Sequence, residues 1–287
     1  MVFAVANHTI ARAGAAIMLS LAILAMAPVR AQDYPAIVAS PDRTDADRQT
    51  DKRRNPVNLL SFTGAKPGWT VLDMGAGAGY STELMARSVG PSGKVYGLTD
   101  TESEKLKARM ATPAMRNVTV LVRPFDDPIP AELHDFDLIT FFFAYHDTTF
   151  MAVDRIKMDK ALFAALKPGG FLVIADHSAR PEDGATVGKK YHRIAERTLR
   201  AEIEAAGFKF VADADFLRHP EDDRTGIVFR NPTPVDEFVL KFQKPRLGFI
   251  TSQALRSGAV YRRPRECEGP GICTEECACR AKRHRPC

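Results

Sequence analysis

Two sets of residues in this chain have types and spacings suited to chemistry. The first is Asp73-Met74-Gly75-Ala76-Gly77-Ala78-Gly79, an acid two positions ahead of three alternating glycines. Glycine lets the backbone take positive φ and come close to a bound group, and a helix starting just after such a turn offers it unpaired N–H groups. The spacing puts Tyr80 where a dinucleotide fingerprint needs its third glycine, which disfavours a nicotinamide oxidoreductase. The second set is His146, His177 and His192 with Asp147 and Asp176. Imidazole titrates near neutral pH and takes its orientation from a neighbouring carboxylate, and the same groups also ligate divalent cations. His134 and His219, the other histidines away from the chain ends, fall in polar loops and need no special role.

The elements that must position these residues follow from periodicity. Val71, Leu72 and Met74 read as a strand entering the glycine turn, and Ser81 to Ser88 as the helix leaving it. Further strands are expected at Gly93 to Leu98, Val118 to Val122, Asp137 to Phe143, Phe171 to Asp176, Phe208 to Ala212 and Phe238 to Phe242. Helices fall between them. One runs from Ser103 to Met110. A second carries Met158, Leu162, Phe163 and Leu166 on one face and is stopped by Lys167-Pro168-Gly169-Gly170. A third is marked by Leu199 and Ile203. Strands alternating with helices imply an α/β fold: a doubly wound, mostly parallel seven-stranded sheet with helices on both faces. Ligands bind such sheets outside the carboxyl ends of the strands. His146 follows the fourth strand, His177 the fifth, and His192 is expected to begin the helix after the next loop, so all three should converge on one mouth. Phe141, Phe142 and Phe143 read as core, and Tyr145 is the aromatic with a claim to the pocket.

The formal net charge of +5 belongs to the chain ends. Residues 1–31 carry +2 and residues 246–287 carry +5, which leaves −2 for the body between them and no electrostatic case for nucleic acid. Residues 1–31 read as a secretory signal: Arg12 precedes an apolar run, and Val29-Arg30-Ala31 supplies a cleavage site before Gln32. The expected location is therefore periplasmic or secreted, with no membrane contact unless the signal stays as an anchor. Residues 32–56 are a charged lid or linker, whose charges either close over a ligand or form a solvated helix face. Residues 57–245 form the main domain. Residues 246–287 hold all five cysteines, Cys267, Cys273, Cys277, Cys279 and Cys287, without a C-x2-C pair, and read as a disordered extension.

D-M-G-A-G-A-G resembles motif I of the class I S-adenosylmethionine-dependent methyltransferases, and Leu166 to Ile174 resembles the turn before the fifth strand of that Rossmann-like fold. Together with the presumptive export signal, four segments look like those of a family of exported bacterial proteins of predicted methyltransferase type: Asp42-Arg43-Thr44, Tyr145 to Thr148, Asp176 to Ala179 and Tyr191 to Ile194. The resemblance implies S-adenosyl-L-methionine as cofactor, with Asp73 holding its methionine part and Gly75, Ala76, Gly77 and Gly79 passing beneath it. The family position for a ribose-binding acid is Thr99 here, so Asp100 or Glu102 would replace it unless both only cap the next helix. Asp126 is the candidate for the adenine amino group, with Asp127 adjacent.

Methyl transfer from a sulfonium is an in-line displacement that needs donor and acceptor aligned and, for a hydroxyl or amine, a proton removed. Two mechanisms fit. Either His146 or His177 is the general base, oriented by Asp147 or Asp176, or these acids and a histidine hold a divalent cation that acidifies the acceptor. No residue is assigned to a resident metal. The expected function is methyl transfer to an oxygen or nitrogen of a small molecule. The alternative is an exported binding protein that uses the pocket for another ligand.

Overall fold

A computed structural model of the protein describes residues 32–246. The expected signal, its cleavage site and all five cysteines lie outside the described residues. Among the described residues no helix is long and apolar enough to cross a membrane. Among the described residues the chain gathers into two compact units, which divide between Val122 and Arg123.

The first unit opens with three helices, α1 (Tyr34–Val38), α2 (Asp45–Arg54) and α3 (Pro56–Thr63). Thr44 starts α2 with a capping box, its hydroxyl accepting from the Asp47 N–H while the Asp47 carboxylate accepts from the Thr44 N–H. Asn55, at φ 43°, ends α2, and Pro56 follows at once as the first residue of α3. Three parallel strands come next, β1 (Thr70–Met74), β2 (Lys94–Thr99) and β3 (Val118–Val122), with β2 central. Helix α4 (Tyr80–Val89) joins β1 to β2, and α5 (Glu104–Met110) lies on the way from β2 to β3. Val71, Leu72 and Met74 are fully buried. That accounts for the apolar run of β1, which a strand covered on both faces requires.

The second unit holds β4 (Phe136–Phe142), α6 (Arg155–Ala165), β5 (Leu166–His177), α7 (Gly188–Tyr191), α8 (Glu196–Ala205), β6 (Lys209–Ala214) and β7 (Glu237–Gln243). Strand β5 is parallel to β4, while β7 runs antiparallel to both β5 and β6. The units supply three and four strands of a seven-stranded, mostly parallel sheet. Phe141, Phe142 and Phe143 are core residues, as expected.

Two local expectations need correction. Lys167-Pro168-Gly169-Gly170 does not stop α6 as a turn. The helix ends at Ala165 and those residues already belong to β5. A side chain at Gly170 would come within 3.0 Å of the Phe136 carbonyl, so glycine lets the two backbones approach where the β4–β5 register shifts. Nor does His192 begin a helix. It ends α7 in the left-handed conformation, at φ 56°, and α8 starts only at Glu196.

Candidate functional site

The glycine turn of the first unit is built from β1, α4 and α5. Gly75, Gly77 and Gly79 have φ of 75°, 56° and 82°, values that explain glycine at all three positions. The Ala76 N–H bonds back to the Leu98 carbonyl at 2.7 Å, tying the turn to the end of β2. Asp73 is fully buried, and its Oδ2 accepts from the hydroxyls of Ser81 at 2.9 Å and Thr82 at 2.7 Å. It fixes the first turn of α4 against β1, with no surface of its own left to present to a ligand.

Glycine serves different ends along the turn. A Cβ at Gly79 would meet Arg109 Cδ at 2.8 Å and Leu106 Cδ1 at 3.0 Å, so its absence admits α5. A Cβ at Gly77 would meet only the Gly75 carbonyl, at 3.8 Å, and the residue is exposed. Open space over a backbone forced to positive φ is what a bound group needs in order to lie on the peptide plane. The turn therefore leaves the backbone at Gly77 open to a bound group, with Asp73 holding the turn in shape.

At the end of β2, Thr99 Oγ1 donates to the Thr101 carbonyl at 2.8 Å, while Asp100 is exposed and Glu102 half-buried. Ser103 caps α5 with its own hydroxyl, so neither acid is needed as the cap. Asp126 belongs to the second unit, with Lys157 Nζ at 4.0 Å from its Oδ2.

The charged residues of the arm ahead of β1 turn inward, against the reading of a wholly solvated face. Arg43 and Asp47 are buried. Arg43 forms a bidentate pair with Asp51, whose Oδ1 also accepts from the Tyr80 hydroxyl at 2.6 Å. Asp47 holds Arg109 at 2.7 and 3.2 Å, Arg109 also pairs with Glu83, and its Nε donates to the Ala78 carbonyl at 2.9 Å. The arm is thus bonded, through one guanidinium, to the glycine turn. Nothing in the spacing of α5 marks Arg109, because its partners lie 26 to 62 residues away.

In the second unit the structure brings His146, Asp147, Asp176, His177 and His192 together. The imidazoles of His146 and His177 lie 5.4 Å apart, as do those of His146 and His192. Three local devices do this. Residues 145–149 form a 3-10 turn after β4, pinned where the Asp176 carboxylate accepts the His146 N–H at 2.8 Å. The segments around His177 and Arg193 run side by side, the Ile194 N–H reaching the His177 carbonyl at 3.0 Å and the Ala179 N–H reaching the Ile194 carbonyl at 2.9 Å. Arg193, fully buried, pairs with Asp222 at 2.7 Å and holds that ribbon in place. Finally, a Cβ on Gly188 would sit 2.0 Å from Thr149 Oγ1 and 2.8 Å from the His146 carbonyl, so α7 approaches the 3-10 turn as only glycine allows.

The resulting chain of contacts runs from Asp176 Oδ1 to His146 Nδ1 at 2.6 Å, His146 Nε2 to Asp147 Oδ1 at 3.1 Å, and Asp147 Oδ1 to His192 Nδ1 at 3.3 Å. Burial alone would depress the His146 pKa, but the carboxylates of Asp176 and Asp147 outweigh it and push the value up to about 10. His146 is therefore an imidazolium at neutral pH, donating from both nitrogens, which removes it as a general base. Burial likewise works against ionised Asp147, yet the hydrogen bond and charge of His146, with a further hydrogen bond from His192, carry its pKa below the usual carboxylate range. His177 is held neutral by burial, its Nδ1 2.9 Å from Glu237 Oε1 but outside hydrogen-bond geometry, and it has almost no exposed surface. The accessible members are Asp147, with about a third of its side chain exposed, and His192, with a quarter.

Tyr145 does not face a pocket. It is fully buried, packs edge-on against Phe141, and its hydroxyl lies 2.9 Å from both Asp159 Oδ2 and Glu202 Oε2. Sequence spacing misses this cluster, since Tyr145 and Glu202 are 57 residues apart.

A family model described as a methyltransferase domain matches residues 65–210. Among similar proteins is the ubiquinone/menaquinone biosynthesis C-methyltransferase UbiE of Salmonella arizonae, 28% identical over 180 residues, which are 60% of this chain and 68% of that protein. Its counterpart in Salmonella newport is 28% identical over 172 residues, 57% of this chain and 65% of that protein. The chain thus spans about two thirds of the length of these curated relatives. Similar solved structures include a SAM-dependent methyltransferase from Aquifex aeolicus, with a TM-score of 0.51 at 22% identity over 70% of this chain and 99% of that one. The [4+2]-cyclase SpnF reaches 0.53 at 18% identity over 70% and 81%. At such identities the two structures speak for the fold alone.

Proposed function

The chain belongs to the methyltransferase-domain family, with S-adenosylmethionine as methyl donor, and on that premise we propose that its acceptor is a small molecule bearing an acidic hydroxyl, such as a phenol or enol, methylated at carbon. The pair His192–Asp147 carries this reading. With Asp147 Oδ1 accepting from Nδ1, His192 Nε2 is left with a lone pair, the arrangement of a general base oriented by a carboxylate. A neutral amine attacks a sulfonium before it loses a proton. A phenol or enol must lose its proton first, so a preset base favours the hydroxyl acceptor, and the enolate formed is nucleophilic at carbon as well as oxygen. Carbon is favoured because the relatives are named C-methyltransferases.

The residues then divide the work. Gly75, Ala76 and Gly77 pass beneath the cofactor, which lies over the open backbone at Gly77, and Asp73 and Arg109 keep the turn in shape. S-adenosylmethionine supplies the electrophilic methyl group. His146, charged and buried between Asp176 and Asp147, keeps Asp147 ionised and aimed at His192. His192 Nε2 takes the acceptor proton.

The test is transfer of labelled methyl from S-adenosylmethionine to a panel of hydroquinones, phenols and enols, with the product carbon assigned by NMR. His192→Ala is expected to lower kcat by about 10²–10⁴-fold, the usual contribution of a general base, and to leave cofactor affinity unchanged. Equal turnover in wild type and variant, or methylation of amines alone, would rule the reading out.

A further inference from the structure

His146, Asp147 and His192 can each offer one ligand atom such that the three lie within 4.8 Å of one another. The two edges that meet at Asp147 are 3.1 and 3.3 Å. Ligands about 2.0–2.1 Å from a tetrahedral zinc ion stand about 3.3 Å apart, so the two edges at Asp147 already have the spacing of a coordination shell. His146 is also prepared as a ligand, because its other nitrogen is held by the buried Asp176 at 2.6 Å. A carboxylate behind the imidazole is the outer-shell partner that metal-binding histidines have. His192 is held at a cost. A bulky residue in the left-handed region is strained, yet the ring is wedged between Phe229, at 4.9 Å, and Phe150, at 5.9 Å.

His146, Asp176 and His177 form a second convergent group, but all three are buried and Asp176 already accepts two backbone N–H groups. The group with Asp147 and His192 is the one open to solvent. Two imidazoles and one carboxylate make a borderline-hard donor set that suits zinc and its neighbours over magnesium or calcium. Once His146 gives up its Nε2 proton to the cation, the carboxylates of Asp147 and Asp176 sum to the charge that one divalent cation balances.

We propose that His146 Nε2, Asp147 Oδ1 and His192 Nδ1 form a site for a zinc-class divalent cation, and that the cation competes with the proton-accepting role of His192. The cation takes the Nε2 position of His146, whose proton there is released to solvent, and the Nδ1 lone pair of His192, whose proton moves to Nε2, the nitrogen that would otherwise accept from substrate. The site is occupied at the expense of the base. Cation binding itself needs neither cofactor nor acceptor, so it stands or falls apart from the methyl-transfer reading; the competition rests on that reading.

The test uses the full chain, free of cofactor and acceptor. Zinc chloride is titrated by calorimetry, and cobalt chloride by visible absorption. Wild type is expected to bind one equivalent more than His192→Gln or Asp147→Asn, with a cobalt spectrum of nitrogen and oxygen ligation for that equivalent. The five cysteines of residues 267–287 bring thiolates of their own, which sulfur-to-cobalt charge transfer distinguishes. His192 and Asp147 are part-exposed, so both variants are expected to fold, and circular dichroism checks that they do. Equal stoichiometry in wild type and both folded variants overturns the site. With a working acceptor, turnover should fall as the extra equivalent binds; turnover that rises instead overturns the competition.

Discussion

Asp159 gives the sharpest stability prediction. It lies in α6, 2% exposed, with Oδ2 accepting from the Tyr145 hydroxyl and Oδ1 buried without a partner. The single Tyr145 proton cannot serve both Asp159 and Glu202. Burial, with the charge of Glu202 added, overcomes that hydrogen bond and pushes the Asp159 carboxyl from 3.8 up to about 7. The folded value stands above the unfolded one. The stability it contributes is therefore complete below about pH 4 and is lost as pH rises through 7. The gap amounts to about 4 kcal/mol, of which about 2 is lost by pH 5 and nearly all by pH 8. Asp159→Asn keeps an acceptor for Tyr145 and cannot ionise, although its amide leaves a buried donor unpaired at about 1–3 kcal/mol. The variant should lie within about 1 kcal/mol of wild type at pH 5 and be about 1–3 kcal/mol more stable at pH 8. Urea unfolding followed by circular dichroism at the two pH values measures the difference, in which other titrating groups cancel. If the wild-type-to-variant difference is the same at both, the protonation assigned to Asp159 is wrong.

Two further outcomes follow from the packing. Gly188→Ala should displace α7, cost about 1–3 kcal/mol by overpacking and lower methyl transfer with it, because the new methyl would overlap Thr149 and the His146 carbonyl; thermal unfolding and turnover read both, and an unaltered protein would mean that α7 does not place His192. Asp47→Ala removes a buried partner of Arg109 and so loosens the hold on the Ala78 carbonyl. Calorimetric affinity for S-adenosylmethionine should drop about tenfold, the size of a typical coupling between linked sites, and an unchanged affinity would separate the arm from the turn.

The cofactor half of the fold was legible because its determinants are local. Positive φ at Gly75, Gly77 and Gly79 follows from residue type, and the strand–turn–helix order follows from a few residues on either side. The meeting of His146, His177 and His192 was legible at the level of topology, since each follows a strand or its next loop. Roles within that group were not. Whether an imidazole is charged or free depends on which of its nitrogens faces a carboxylate, and Asp176 and Asp147 take both nitrogens of His146. The same reason hid Arg109, Arg193 and the cluster at Tyr145, whose partners meet only after the chain has folded back over 14 to 62 residues. The two readings of the arm stayed open because hydrogen-bonded charges and solvated charges look alike in a sequence.

That arm has a consequence for how the protein handles its ligand. Arg109 touches both Asp47 and the carbonyl beside the glycine turn, so docking of the arm and the shape of the turn draw on one set of bonds. Linkage then requires reciprocity: whatever the docked arm adds to cofactor affinity, the cofactor returns as resistance of the arm to peeling away. Salt should weaken both together, since charge pairs make the connection. Occupancy of the turn would be readable at a distance, as protease protection of residues 42–54.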